Sequence, residues 1–380
     1  GLETLIETDR SPMIAADLRR MLRRICVGML SVPVLILTMG ATTAGAQVLK
    51  PVFVNVTTTL TQGNPNHGGH GIAFADVDGD GDLEVLVSNL RSLIVSSLPD
   101  ELYISGKTLH SLRDEAEPRG IAPREGEAHS AVFVDVDGDG FVDLFKCDTN
   151  GDNELYLNDR RGHFRLSTLA GMKSTVNPGS NYGTRGVGAG DFDGDGDIDL
   201  FAGNAGQANE FYINRGDGTF TEEAELRGVD DQSGNNAQTQ GCAIFDYDGD
   251  GDLDIFLAKR NGPNRLFRND GRGYFTEVAA AAGVTMAATD CDGGVFGDID
   301  NDGDLDLLIA KTSGAAHGVF RNRGDGTFAD ESSLQKINNS NAYNILLEDL
   351  DWDGDLDAVL FVNGRYVHRT YYNNGKGVFS

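Results

Sequence analysis

The chain has 380 residues, with 31 Lys+Arg against 59 Asp+Glu, a formal net charge of −28. So acidic a chain excludes a nucleic-acid partner, whose phosphates call for a basic face, and it excludes docking on anionic lipid. Gly supplies 50 residues and Pro only 9, while 39% are hydrophobic, which excludes collagen-like or Pro-rich chains and leaves apolar mass for a core.

Residues 1–46 read as upstream sequence plus a secretory leader, and 47–380 as the working domain. Arg19, Arg20, Arg23 and Arg24 form a positive head, 25–39 is an apolar run, and Ala44-Gly45-Ala46 is a small-residue cleavage site. A start at Met13 or Met21 would give this leader an ordinary length. Pro33 interrupts the run, which is shorter than the ~20 residues a membrane span needs. Cleavage after Ala46 would leave Gln47 as the first residue of a secreted, periplasmic or cell-surface protein with no membrane span. That chain keeps Cys147, Cys242 and Cys291, so it can hold one disulfide at most.

From residue 74 a single pattern recurs six times, D-x-D-x-D-G-x-φ-[DE], with φ apolar. The copies begin at Asp76, Asp135, Asp191, Asp246, Asp298 and Asp349, spaced by 59, 56, 55, 52 and 51 residues. Position 3 is Asp78, Asp137, Asp193, Asp248, Asp300 and Asp351. Position 5 is Asp80, Asp139, Asp195, Asp250, Asp302 and Asp353. Position 9 is Glu84, Asp143, Asp199, Asp254, Asp306 and Asp357. Position 6 is always Gly, as a sharp turn requires.

Four carboxylates in nine residues repel one another unless a cation sits between them. An all-oxygen, highly charged donor set of adjustable geometry suits Ca2+, whereas Mg2+ keeps more water and Zn2+ wants thiolate or imidazole. Six loops therefore predict about six Ca2+, ligated at positions 1, 3, 5 and 9. An EF-hand is excluded because position 12 carries Val87, Lys146, Ala202, Leu257, Ile309 and Leu360, none a carboxylate.

A second segment follows five of the loops: NELYLNDRRGHF, NEFYINRGDGTF, NRLFRNDGRGYF, HGVFRNRGDGTF and HRTYYNNGKGVF. Its final Phe164, Phe220, Phe275, Phe328 and Phe379 lie 29, 29, 29, 30 and 30 residues after the loop's first Asp. This reads as two short strands around a Gly-containing turn. The first copy keeps Glu101-Leu102-Tyr103 but lacks the G-x-F. Strand, loop, strand and hairpin in about 55 residues make one four-stranded blade, and six of them an all-β propeller.

The pattern resembles the FG-GAP/VCBS repeats of integrin α-subunit propellers and of secreted bacterial proteins. The resemblance implies calcium ligation by the carboxylates above, with a backbone carbonyl at position 7, where the second copy has Phe141 in place of Asp. Six blades are visible. Either 51–57 (PVFVNVT) supplies the missing strand of the last blade, which is the preferred expectation, or the propeller is a truncated seven-bladed one.

Arg215-Gly216-Asp217 and Arg323-Gly324-Asp325 spell an adhesion tripeptide but fall in hairpin turns. His67 and His70 make too small a set for a metal site, and the Asn55 and Asn338 sequons matter only in a glycosylating host. Long polar segments, 62–71, 174–186, 230–241 and 336–344, precede the first strands and should share one rim. With Tyr182, Arg185 and Tyr343, that rim suits sugar hydroxyls or a protein partner.

The expected function is a secreted calcium-binding adhesion module for carbohydrate or protein at a cell surface. The alternatives are a polysaccharide lyase on the same scaffold, drawing its base from groups such as His67, His70, His129 or Tyr182 beside Arg185, or the propeller portion of a larger surface protein.

Overall fold

The computed structural model describes 35–38, 52–55 and most of 69–380, leaving out 81–83, 90–100, 106–111, 122–127, 149–151, 169–171, 173–182, 232–237, 287–289, 313–315, 338–340 and 363–367. Within this range each repeat folds as a twisted antiparallel sheet. Blade 1 is β3 (Gly69–Ala75), β4 (Glu84–Asn89), β5 (Glu101–Ser105) and β6 (Leu112–Asp114). Blade 2 is β7 (Ala128–Val134), β8 (Asp143–Asp148), β9 (Glu154–Asn158) and β10 (Phe164–Leu166). Blade 3 is β11 (Thr184–Gly190), β12 (Asp199–Asn204), β13 (Glu210–Asn214) and β14 (Phe220–Glu222). Blade 4 is β15 (Gln238–Phe245), β16 (Asp254–Arg260), β17 (Arg265–Asn269) and β18 (Phe275–Glu277). Blade 5 is β19 (Cys291–Gly297), β20 (Asp306–Lys311), β21 (Gly318–Asn322) and β22 (Phe328–Asp330). Blade 6 has three strands, β23 (Ala342–Glu348), β24 (Asp357–Val362) and β25 (His368–Tyr371). This is the β-propeller expected from the repeats.

The second strands β8, β12 and β20 are buried at every residue. A blade covered on both faces needs no polar alternation, which accounts for runs such as DLFAGN and DLLIAK. Five apolar clusters each straddle two successive blades. One joins Phe256 and Leu266 of blade 4 to Leu307, Ile309 and Phe320 of blade 5. Another joins Phe192, Phe201 and Phe211 of blade 3 to Ile255, Phe267 and Phe275 of blade 4. The core is thus a series of inter-blade layers.

Innermost strands pack in sequence, β3 on β7, β7 on β11, β11 on β15, β15 on β19 and β19 on β23. No packing of that extent joins β23 to β3 among the described residues. Every innermost strand carries a one-residue register shift near its start, at His70, His129, Arg185, Gln240, Asp292 and Tyr343.

Two short helices follow the fourth strands of blades 3 and 4, α1 (Ala224–Arg227) and α2 (Ala279–Ala282). Each ends on a left-handed glycine. A Cβ on Gly228 would stand 2.9 Å from the Phe275 carbonyl oxygen of the next blade, so the cap is also a packing contact.

One expectation needs revision. The strand β2 (Val52–Asn55) does not complete blade 6; it pairs with β1 (Leu35–Thr38). The fourth position in blade 6 is taken by the hairpin's own return, where Ser380 and Tyr372 exchange backbone hydrogen bonds of 2.9 and 3.2 Å. Blade 1, despite lacking G-x-F, still forms its fourth strand, with Ser105 paired to Leu112. Cys147, Cys242 and Cys291 are all free thiols. No helix among the described residues is long and apolar enough to cross a membrane.

Candidate metal centres

Each carboxylate loop joins the first strand of its blade to the second. Its curvature comes from two left-handed residues. Position 6 is glycine with φ near +97° at Gly251 and +98° at Gly303. Position 4 is also left-handed, as Gly in loops 1 to 4 but as Asn301 (φ +62°) in loop 5 and Trp352 (φ +66°) in loop 6. Position 4 is a constraint the sequence pattern did not single out, because Asn and Trp mask it.

With those turns in place the carboxylates are held by the loop's own backbone. In loop 4, Asp246 Oδ1 accepts from the N–H of Gly249 at 2.8 Å and Oδ2 from Gly251 at 3.0 Å. Asp250 Oδ1 accepts from the N–H of Asp252 at 3.0 Å. Equivalent bonds organise Asp191, Asp298 and Asp349. Position 3 differs. One oxygen, Oδ1 of Asp78, Asp193, Asp248 and Asp300, is buried and accepts no hydrogen bond. Burial pushes Asp193, Asp248 and Asp300 above the usual carboxylate range, and the neighbouring loop carboxylates add to the rise.

Position 9 lies on the second strand and is fully enclosed. Asp254 Oδ2 accepts from the N–H of Tyr247 at 3.1 Å and Oδ1 from Asn269 at 2.8 Å. Burial raises Glu84, Asp143, Asp199 and Asp254 to about 7, and Asp306 and Asp357 to about 6, against backbone N–H donation that pulls them down.

In loops 1 to 5 one oxygen from each of three carboxylates lies within 4.8 Å of the others. The trios are Asp76, Asp78 and Glu84; Asp135, Asp137 and Asp143; Asp191, Asp193 and Asp195; Asp246, Asp248 and Asp250; and Asp298, Asp300 and Asp302. That separation is what two oxygens on opposite sides of one ion show when each bond is about 2.4 Å. The buried, unpartnered position-3 oxygens fit a cation as their missing partner, since an orphaned buried acceptor is otherwise costly. Three of the four expected ligands of each of these loops are therefore brought together, with position 9 in the trio of loops 1 and 2 and position 5 in that of loops 3 to 5.

Three arginines add a feature that the motif does not announce. Arg119 Nη2 lies 3.1 Å from Asp78 Oδ2, and its Nη1 donates to the Gly162 carbonyl of blade 2 at 3.2 Å. Arg227 likewise joins Asp193 of blade 3 to the Arg272 carbonyl of blade 4, at 3.2 and 2.6 Å. Arg321 joins Asp300 of blade 5 to the Lys376 carbonyl of blade 6, at 2.8 and 3.3 Å. Each strap engages Oδ2, leaves the position-3 Oδ1 without a hydrogen bond, and locks one blade's loop to the next blade's turn.

The tripeptides behave as turns. Asp217 and Asp325 accept from the N–H of Thr219 and Thr327, each at 3.0 Å, and Arg215 pairs with Glu223. His67, Tyr182 and Asn338 lie outside the described residues, as does most of the leader.

An FG-GAP-like repeat model matches residues 135–202, 191–257, 246–309 and 298–360. Cartilage acidic protein 1 of Mus musculus is 28% identical over 370 residues, covering 85% of this chain and 53% of that protein. The Homo sapiens protein of the same name is 25% identical over 419 residues, covering 84% and 60%. This chain thus spans little more than half the length of these curated relatives. Among solved structures, the computationally designed Ika8 protein aligns with a TM-score of 0.47 at 10% identity, over 85% of this chain and 77% of that one. The V. cholerae biofilm matrix protein Bap1 aligns at 0.39 and 14%, over 69% and 39%.

Proposed function

The chain belongs to the FG-GAP-like repeat family, and from that premise we propose that it is a secreted, calcium-stabilised propeller that binds a carbohydrate or a protein at a cell surface. The observation that carries the metal reading is the set of buried position-3 oxygens, each lacking a partner and each gathered with two further carboxylate oxygens. Calcium is favoured over magnesium because four anionic side chains per loop leave little room for the water that Mg2+ retains.

Calcium here is structural. A cation that binds only the folded loop stabilises the fold by mass action, roughly 2.7 kcal/mol per site at a hundredfold excess over Kd. Six ions would also take the formal charge from −28 to −16, relieving repulsion between loops. Secretion is supported by the Arg-led apolar run and Ala44-Gly45-Ala46. The binding role rests on the polar rim, at the strand ends opposite the loops.

Elemental analysis of protein dialysed against calcium should find about six Ca2+ per chain. Chelation should lower the melting temperature by ten degrees or more. Trp352, the single tryptophan, stands at position 4 of loop 6 and is 50% exposed, so its emission reports filling of that loop. An unchanged melt in excess chelator, with no bound metal, would refute the structural role.

A further inference from the structure

The register shifts of the innermost strands fall at one place in every blade. The extra residues, His70, His129, Arg185, Gln240, Asp292 and Tyr343, each stand six positions before the loop's first aspartate. A bulge breaks the two-residue alternation of a strand and re-aims one side chain. The residue at that place is polar in all six blades and of five different types, histidine occurring twice.

The bulges of successive blades touch. Arg185 Nη1 donates to Gln240 Oε1 of the next blade at 2.5 Å. A Cβ on Gly241 would stand 2.6 Å from the Asp292 carbonyl oxygen, and one on Gly293 would stand 3.1 Å from that of Tyr343. The backbones of successive blades therefore approach closely just past the bulges of blades 4 and 5. Arg260 pairs with Asp292, so the one carboxylate among the six bulge residues is charge-compensated. Gln240 and Asp292 are 7% and 8% exposed, whereas Tyr343 is 39% exposed.

We infer that this bulge level is a ligand site for a carboxylate-bearing sugar unit, a uronate, deepening the binding role proposed above and resting on it. The planar fork of Arg185, with His129 one blade before it, suits a carboxylate. The open ring of Tyr343 offers an apolar face to a pyranose, and in blade order Gln240 and the Arg260-paired Asp292 stand between it and Arg185 as partners for hydroxyls. The acidic loops do not forbid an anion here. Six residues of strand put them about 20 Å away, about two Debye lengths at physiological salt.

The test is calorimetric titration of trigalacturonate into the calcium-saturated protein, beside neutral galactotriose. Binding of the uronate but not the neutral trimer is expected. Arg185→Met should weaken it at least tenfold and Tyr343→Ala several-fold, with melts in calcium checking that each variant folds. Failure of the folded wild type to bind trigalacturonate overturns the proposal. So does binding that both variants retain, which would place the sugar on calcium in the loops. Galactotriose binding that neither variant alters would keep the module and discard this site.

Discussion

Asn269 lies where two blades and a turn meet. Its Nδ2 donates to the Leu253 carbonyl of its own blade at 3.0 Å and to the Phe192 carbonyl of blade 3 at 2.8 Å. Its Oδ1 accepts from the N–H of Gly273 at 3.0 Å. Asn158, Asn214, Asn322 and Asn373 repeat the bond to the preceding blade's loop, at 2.8, 2.8, 2.8 and 2.7 Å. Asn269→Ala orphans two carbonyls and the turn N–H groups of Gly271 and Gly273, each worth about 1–3 kcal/mol when buried. A loss of roughly 3 kcal/mol is expected, read as a lower urea midpoint in saturating calcium. Asn269→Asp should be at least as harmful, because a carboxylate would face two carbonyl oxygens. A midpoint unmoved by either change would show that the staple carries no weight.

On the calcium reading proposed above, the loop, with its position-9 carboxylate, is the element that would couple folding to protons and metal. A buried carboxylate raised from 3.8 to about 7, as at Asp254, keeps a proton in the fold that the unfolded chain gives up. Its contribution is intact below the unfolded value and is lost as pH rises through the folded one. The metal-free protein should therefore lose stability between about pH 4 and 7. With calcium bound the carboxylate is held ionised and protons compete with the ion, so stability should fall as pH drops through the same window. Melts at pH 5 and 7.5, with and without calcium, should show opposite slopes, and calcium uptake near pH 7 should release protons. Parallel slopes would count against metal contact at position 9. The loop was legible in the sequence because clustered carboxylates and tight turns are particular residues at fixed spacing. The bulges were not, although their offset of six is as regular as the motif, because a bulge asks for no residue type and five different ones fill the six places. The asparagine staples stood inside the quoted hairpin motif, but their partners lie 74 to 81 residues away in sequence.

Across the molecule these contacts give the run of blades a direction. The loop of one blade offers its position-2 carbonyl to the asparagine of the next, and the arginine straps run the same way. Stability in such an array is a sum of unit and nearest-neighbour terms, so damage should spread to neighbours and then fade. Loop 4 is a clean place to test this. Its Tyr247 carbonyl is held by Asn322 of blade 5, whereas Asn214 of blade 3 holds Val136 of loop 2 and touches nothing in loop 4. Asp246→Asn with Asp250→Asn should remove about one calcium per chain. Hydrogen exchange should then quicken in loop 4 and in the β21–β22 hairpin of blade 5, while the β13–β14 hairpin of blade 3 and all of blade 2 stay protected. Equal loss on both sides would mean that the shared apolar layers, which are symmetric about each blade, carry the coupling. Loss confined to loop 4 would mean that the staples join blades without transmitting strain. The forward pattern alone fits a propeller in which each metal loop secures the blade that follows it.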